Sequence, residues 1–594
     1  VTGPAPTLIG HVESVKGGVL TIRLRDVPTF VLVNGHSYRI AQVGAFLRVP
    51  LGYTQLYAVC TLVGAAAAPQ ADNGQAVGHR WLAATLFGES IGQRFDRGVS
   101  QYPTIDDEVH LVTPEDMKII YGSTQEERSI TVGTVAAASG IAGQLDLGRL
   151  VTRHFAVVGS TGSGKSNLVA VLVEAICTQG FPSARVLVID PHGEYATAVG
   201  QYGRVFKIYP DVDRGERTLY VPFWALPFDE LQAILMGPMQ PAAETAVRDE
   251  VAARKRAAAG HIQHQPPDTV VSADSPIPFS LQKLWFDLDD FERQTFADNG
   301  RTQLSARTQN GNAETLVSNQ YPAPSPGNQA PFAHNRQRNI SRQLELMKSR
   351  LQDSRYGFLL NPGGDLSPTL DGQTTADLDA LVQSWVGHDQ PLTVLDVSAL
   401  PSEVLTTVVG TLMRIVYDML FWASDLPISG RKQPLLVLLE EAHLFLPDGR
   451  ESSARRTVSR IAKEGRKYGI GLGVVTQRPG EIDGTVLSQC GTMIALRLTN
   501  SSDRGKVEAA MPDDLGALSG MLPALRTGEG MVLGEAMPIP SRIQFFKARK
   551  RPVGDDPDMP AAWRQPRPEQ AHYGAALRNW RHQTNVAGTG EGDA

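Results

Sequence analysis

The sequence predicts an α/β protein: a parallel sheet with helical crossovers, preceded by a small β-barrel and interrupted by a mainly helical insertion. Three observations carry that expectation. Continuous apolar runs recur from residue 146 onward and alternate with helix-period segments, as strands covered on both faces do. Short strand-like runs crowd residues 1–145, each bounded by turn formers. One glycine-rich stretch, "VVGSTGSGKSNLV" (157–169), joins an apolar run to a helical pattern.

Composition sets limits. The chain has 594 residues, more than one ordinary domain needs, and 42% hydrophobic with 20% charged residues is a globular composition. No apolar run reaches the roughly 18–20 residues that span a bilayer. The start, VTGPAPTLIG, lacks the basic and apolar regions of a signal peptide. A cytoplasmic protein with no membrane contact is therefore expected. Cys60, Cys177 and Cys490 match no metal spacing and read as buried apolar residues in a reducing compartment. A net charge of −6 argues against a surface that coats nucleic acid and confines any such contact to a local pore or groove.

In chain order, "VLTIRL" (19–24), "TFVLV" (29–33), "FLRVP" (46–50), "LYAVCTLVG" (56–64), "WLAATLFG" (81–88) and "EVHLVT" (108–113) read as barrel strands of a docking or assembly module, 1–145. The first part of the α/β core covers 146–225, with strands "HFAVVG" (154–159) and "ARVLVID" (184–190) around a helix at 166–180 that ends on a glycine. Residues 226–385 form the insertion, helical at 228–260, 280–295 and 340–356, with an Asn/Gln/Pro-rich flexible loop at 306–339. The core resumes over 386–548 with "LTVLDVS" (392–398), "LLVLLEEAH" (435–443), "GIGLGVVTQ" (469–477) and "TMIALRL" (492–498). The helix at 402–422 places Leu405, Val408, Leu412, Ile415 and Met419 on one stripe. The tail, 549–594, is Pro-rich and polar and is expected to be partly disordered.

The glycine-rich stretch fits G-x-x-x-x-G-K-S: Gly159, Gly164, Lys165 and Ser166. Glycines let Ser160, Thr161, Gly162, Ser163 and their neighbours turn backbone N–H groups toward phosphates at the positive end of a helix. Lys165 reaches the β- and γ-phosphates of ATP, and Ser166 ligates Mg²⁺; Asn167 completes the loop. Hydrolysis also needs a carboxylate to position water. Glu440 and Glu441 end a buried strand, where ligands gather in a parallel sheet. Glu440 serves as an outer magnesium partner and Glu441 polarises water. Asp190 ends another strand and faces the metal or the water, or else caps its own loop. Gln477 senses the γ-phosphate through its amide. Arg466 precedes the strand that Gln477 ends; ten residues of strand span roughly 30 Å, so Arg466 reaches a neighbour's phosphates rather than its own. Arg153, at the start of the strand before the phosphate loop, is under the same constraint. Both fit a head-to-tail ring. Arg336, Arg342, Lys348, Arg350 and Arg355 either line a DNA path or form a solvated helix face.

The segments "LVTRHFAVVGSTGSGKSN", "VLVIDPHGEYA", "LLVLLEEAHLFLP" and "IAKEGRKYGIGLGVVTQRP" resemble the HerA group of hexameric DNA-translocating ATPases, relatives of FtsK. "VPFWALPFDEL" (221–231) and "GEGMVLGEAMPIPSRIQF" (528–545) are similar too, so the likeness spans about 146–548. It implies a RecA-like P-loop NTPase core in a homohexamer that moves double-stranded DNA through a channel. It also implies a separate partner, either a NurA-like nuclease for DNA-end processing or a sirtuin-like NADase or other effector in antiviral defence. By the resemblance Lys165 and Ser166 bind phosphate and magnesium, Glu441 is catalytic, Gln477 is the sensor, and Arg466 and Arg153 are interfacial. The alternative is an ATP-binding scaffold ring that regulates an effector with little motor activity. A protein-secretion or conjugation ATPase is a third reading.

Overall fold

The structure is a computed structural model. It describes the chain except residues 1–6, 26–29, 34–35, 41, 66–79, 123–125, 137–139, 328, 362, 450, 512–518, 553–558, 567–572 and 583–594. The terminal "GTGEGDA" lies outside the described residues.

Six N-terminal strands close into a barrel. In order around it run Val19–Leu24, Leu8–Lys16, Glu108–Leu111, Phe46–Leu51, Thr54–Gly64 and Trp81–Ile91, and the last pairs back onto the first, with Leu20 opposite Ala84. Alternation fills the interior with Val12, Leu20, Ile22, Val49, Leu56, Leu82 and Val109. Register shifts after Val12, Tyr57 and Cys60 bend the strands toward closure. Leu8–Lys16 went unread in the sequence because "GHVESVK" is largely polar; its burial comes from the neighbours it pairs with. All three cysteines are free thiols, and Cys60 and Cys490 are buried.

The second sheet has twelve strands. Its parallel part runs Thr492–Leu496, Phe155–Val158, Ile470–Thr476, Leu435–Leu439, Val186–Asp190, Leu392–Asp396, Gly203–Lys207 and Arg217–Thr218. Glu529–Gly534, Ser541–Phe545, Ser129–Val135 and Ala142–Asp146 extend it antiparallel from the Thr492 edge. The last two precede the sequence boundary at 145–146, yet they belong to this sheet. Their mixed polar composition resembled the barrel, and only their pairing with Ser541–Phe545 separates them from it. Each of the central strands is buried along its whole length, as helices cover both faces.

Contrary to the expectation from apolar runs, the helix Ser402–Trp422 is long and apolar enough to cross a membrane. It packs in the core instead: Val408, Leu412 and Ile415 are buried, and Leu405 and Met419 lie against them. The insertion holds the helices Phe228–Leu235, Pro241–Ala259, Leu281–Arg293, Ser341–Gln352 and Leu378–Val386. The stretch 306–339 is irregular, and hydrogen bonds tie it to the helix beside it. Asn319 and Tyr321 both donate to Asp290, at 2.5 and 2.9 Å, and Arg338 N donates to Glu292 at 2.7 Å.

Lys255 is the most deeply buried cation of the insertion, at 1% exposure. Its Nζ donates to the carbonyls of Trp224 (3.3 Å), Ala273 (2.8 Å) and Ser275 (2.6 Å), fastening one helix to two loops. Lys255→Ala orphans three acceptors, two of them buried, and opens a cavity, so an apparent stability loss of about 3 kcal/mol is expected, read as a lower thermal midpoint. Burial pushes the ammonium down from 10.5 to about 7. The unfolded chain then binds more protons between those values, and this group's contribution to stability rises with pH from about 7 to 10.5. The slope of the midpoint over that window should flatten in Lys255→Met.

Candidate active site

The phosphate loop is held by what flanks it. Gly159 N donates to the Thr476 carbonyl at 3.3 Å and Ser160 N to the Arg497 carbonyl at 2.9 Å, so the loop hangs from both strands beside Phe155–Val158. A Cβ on Gly159 would lie 2.6 Å from Ser163 Oγ. Gly164 has φ of 103°, a left-handed turn that opens the helix Lys165–Thr178. The backbone N–H groups of Thr161, Gly162, Gly164, Lys165 and Ser166 have no acceptor among the described residues. Ser163 Oγ is buried without a partner. Unpaired donors gathered at the positive end of a helix are the chemistry a polyphosphate requires.

Across from this loop the strand Leu435–Leu439 ends in two glutamates with opposite electrostatics. Glu440 is 3% exposed and accepts from the Tyr195 hydroxyl at 3.0 Å. Burial, then the charge of Glu441, pushes its carboxyl up to about 8. Glu441 has a φ of 46°, a left-handed conformation rare for a side chain of this size. Burial raises its carboxyl too, but the hydrogen bond with His443 (3.2 Å) and the charge of Lys165 outweigh that and hold it below the ordinary range. Neighbouring carboxyls driven apart in this way leave one ionised and able to accept a proton beside one that is neutral. Gln477 closes the gap between the two halves: its Oε1 accepts from Thr161 Oγ1 at 2.7 Å, and its backbone N lies 3.5 Å from Glu441 Oε2.

Three residues of the predicted set do other work. Ser160 Oγ, like its N–H, is committed to the Arg497 carbonyl, at 2.8 Å, so its hydroxyl anchors the loop. Asn167 bonds through its amide to Phe546 O (2.8 Å) and Ala548 N (3.0 Å), tying the last core strand to the phosphate helix. Asp190 is fully buried and accepts from the N–H groups of His192, Gly193 and Tyr195 at 2.8–3.1 Å. It therefore fixes the turn that presents Tyr195 to Glu440, which is the loop-capping alternative. Tyr195 and His443 both lie in the quoted segments "PHGEYA" and "EEAH" and were not singled out, because their partners are far away in sequence.

Arg466 and Arg153 stand at the edge of the sheet opposite the phosphate loop. The strand Ile470–Thr476, about 20 Å long, separates Arg466 from Gln477. Arg466 is exposed and pairs with no side chain among the described residues. Arg153 lies 3.6 Å from Glu535. Of the basic residues at 336–355, Lys348 lies over the Trp285 ring, Arg350 over Tyr356, and Arg355 pairs with Asp353 at 2.7 Å. Those three are engaged within the insertion, while Arg336 and Arg342 are exposed.

An unpaired amide cradle facing an ionised glutamate in a left-handed conformation has the chemistry expected of a P-loop ATPase, here on an α/β core with a barrel before it. Residues 130–416 match the family model described as "Helicase HerA, central domain". The chain is 26% identical over 468 residues to the DNA double-strand break repair helicase HerA of Pyrococcus furiosus, covering 74% of this chain and 73% of that one. It is 25% identical over 457 residues to the protein of the same name from Saccharolobus solfataricus, covering 76% and 74%. Among solved structures it is similar to VirB4 of Thermoanaerobacter pseudethanolicus, at 13% identity and a TM-score of 0.45 over 72% of this chain and 98% of that one. Over residues 130–416 the chain resembles the HerA family, and it is an ATPase of the helicase type.

Proposed function

We propose that this protein is a ring-forming motor that hydrolyses ATP to move along double-stranded DNA. The observation that carries the reading is the bridge through Gln477, which bonds the phosphate loop at Thr161 and lies beside Glu441, so that loss of a γ-phosphate alters the strand that begins next to Arg466. Two relatives named as DNA double-strand break repair helicases support DNA as the track. Lys165 and the loop amides hold the triphosphate, and Glu441 orients and deprotonates the attacking water. Ser166 and Glu440 are the groups that would hold Mg²⁺, which offsets phosphate charge and favours the ionised form of Glu440. Arg466, too far from its own loop, supplies positive charge to a neighbour's, and Arg153 stands with it; that requires a closed ring, which we assign as a homohexamer. The net charge of −6 confines DNA to a local channel. A separate nuclease or effector subunit uses the movement.

The test is ATP turnover with and without linear duplex DNA, with particle mass measured on the same sample. A hexamer stimulated several-fold by duplex DNA is the expected result. Turnover indifferent to DNA would favour the scaffold reading, in which the ring regulates an effector.

A further inference from the structure

We infer that His154 is a positioning residue that sets the interfacial Arg466 relative to the phosphate loop; this rests on the in-trans role proposed for Arg466. His154 opens the strand that leads into the phosphate loop, and it is one of few non-glycine residues with positive φ, at 58°. A left-handed histidine is uncommon and persists where surrounding contacts over-determine it. Here they do. The side chain is 4% exposed. Its Nδ1 accepts from Leu472 N at 3.0 Å, in the strand that ends at Gln477. The ring also lies near the backbone of Ala462, in the helix Ser453–Glu464 that leads into Arg466. Accepting at Nδ1 places the proton of the neutral ring on Nε2. Burial, with the Arg466 charge adding to it, pushes the imidazole down to about 4, so this donor–acceptor pattern persists at neutral pH.

One ring thus ties the phosphate-loop strand to the sensor strand and packs beside the arginine helix. The turn after that helix is held as tightly. Arg431 donates to the Lys467 carbonyl at 2.8 Å, and a Cβ on Gly469 would collide with the backbone of Gly430. The backbone at Arg466 is therefore fixed from both sides, while its side chain remains exposed. Arg153, the other interfacial arginine, directly precedes His154, and its carbonyl accepts from Gly491 N at 2.7 Å.

The test compares steady-state ATP turnover of the full-length chain with that of His154→Gly, His154→Asn, Arg466→Ala and the double variant His154→Gly/Arg466→Ala. Glycine removes the imidazole and accepts the left-handed backbone without strain; asparagine keeps that backbone and an acceptor for Leu472 N. His154→Gly should lower kcat about tenfold or more, since a misplacement of about 1 Å can cost about 100-fold. KM for ATP stays within about twofold, because the phosphate loop itself is untouched. Asparagine recovers part of kcat, and the double variant is no slower than Arg466→Ala alone. A rise in KM matching the fall in kcat, or a double variant slower by the product of the single effects, overturns it. If Arg466→Ala is slow and His154→Gly is not, this inference falls alone. If Arg466→Ala turns over normally, the in-trans reading falls and takes this inference with it.

Discussion

Glu441→Gln is expected to lower ATP turnover by at least about 100-fold, the lower range for loss of a general base, while nucleotide binding is retained. The substitution is nearly isosteric, so the left-handed turn at 441 and the packing around it survive. What is lost is the negative charge that His443 and Lys165 hold ionised. An amide neither takes a proton from water nor balances Lys165. Removing that charge also removes the main neighbouring influence on Glu440, whose carboxyl burial and Glu441 together push up to about 8. Equilibrium binding of a fluorescent ATP analogue, run beside a phosphate-release assay, separates the two effects. Turnover above a tenth of the parent's would remove Glu441 from the catalytic role.

Lys165→Ala should act a step earlier. Lys165 is 8% exposed, and its charge bears on both Glu440 and Glu441. Deleting it takes away the cation proposed to meet the β- and γ-phosphates and the positive charge that acts on both glutamates. Truncating one partner of a buried charge pair costs about 2–5 kcal/mol, which corresponds to at least about 30-fold in affinity. We expect ATP affinity to fall by about 100-fold and turnover to vanish at ordinary ATP concentrations. Binding within threefold of the parent's would assign phosphate recognition to the loop amides alone. The two variants thus differ in which step they block, since Glu441→Gln traps nucleotide and Lys165→Ala fails to take it up.

The phosphate loop was legible because its chemistry is local. Glycines at 159 and 164, a lysine and a serine must be adjacent to bring amides and charge to one anion, and strand and helix periods on either side completed the pattern. The same holds for Glu440, Glu441 and Gln477, each placed at a strand end by the apolar run before it. Residues whose roles depend on a distant partner were not legible in this way. Tyr195 meets Glu440 across 245 positions, and His154 meets Leu472 across 318. Ser160 and Asn167 looked like ligand groups because they sit in the motif, yet their side chains bond Arg497 and Phe546, which the chain reaches more than 300 residues later.

The sequence by itself therefore determined the fold class, six of the twelve core strands, and the phosphate-loop motif, since each follows from periodicity or from neighbours within a few residues. Tertiary structure decided which strands are adjacent, that Ser129–Val135 and Ala142–Asp146 join the core sheet, and that Leu8–Lys16 completes a barrel. It also decided the charge states of the paired glutamates, because burial and the approach of Lys165, Tyr195 and His443 set them. The physical reason is one of range. Propensity and motif act through the covalent chain, whereas desolvation and Coulomb interaction depend on distances that exist only once the chain has folded.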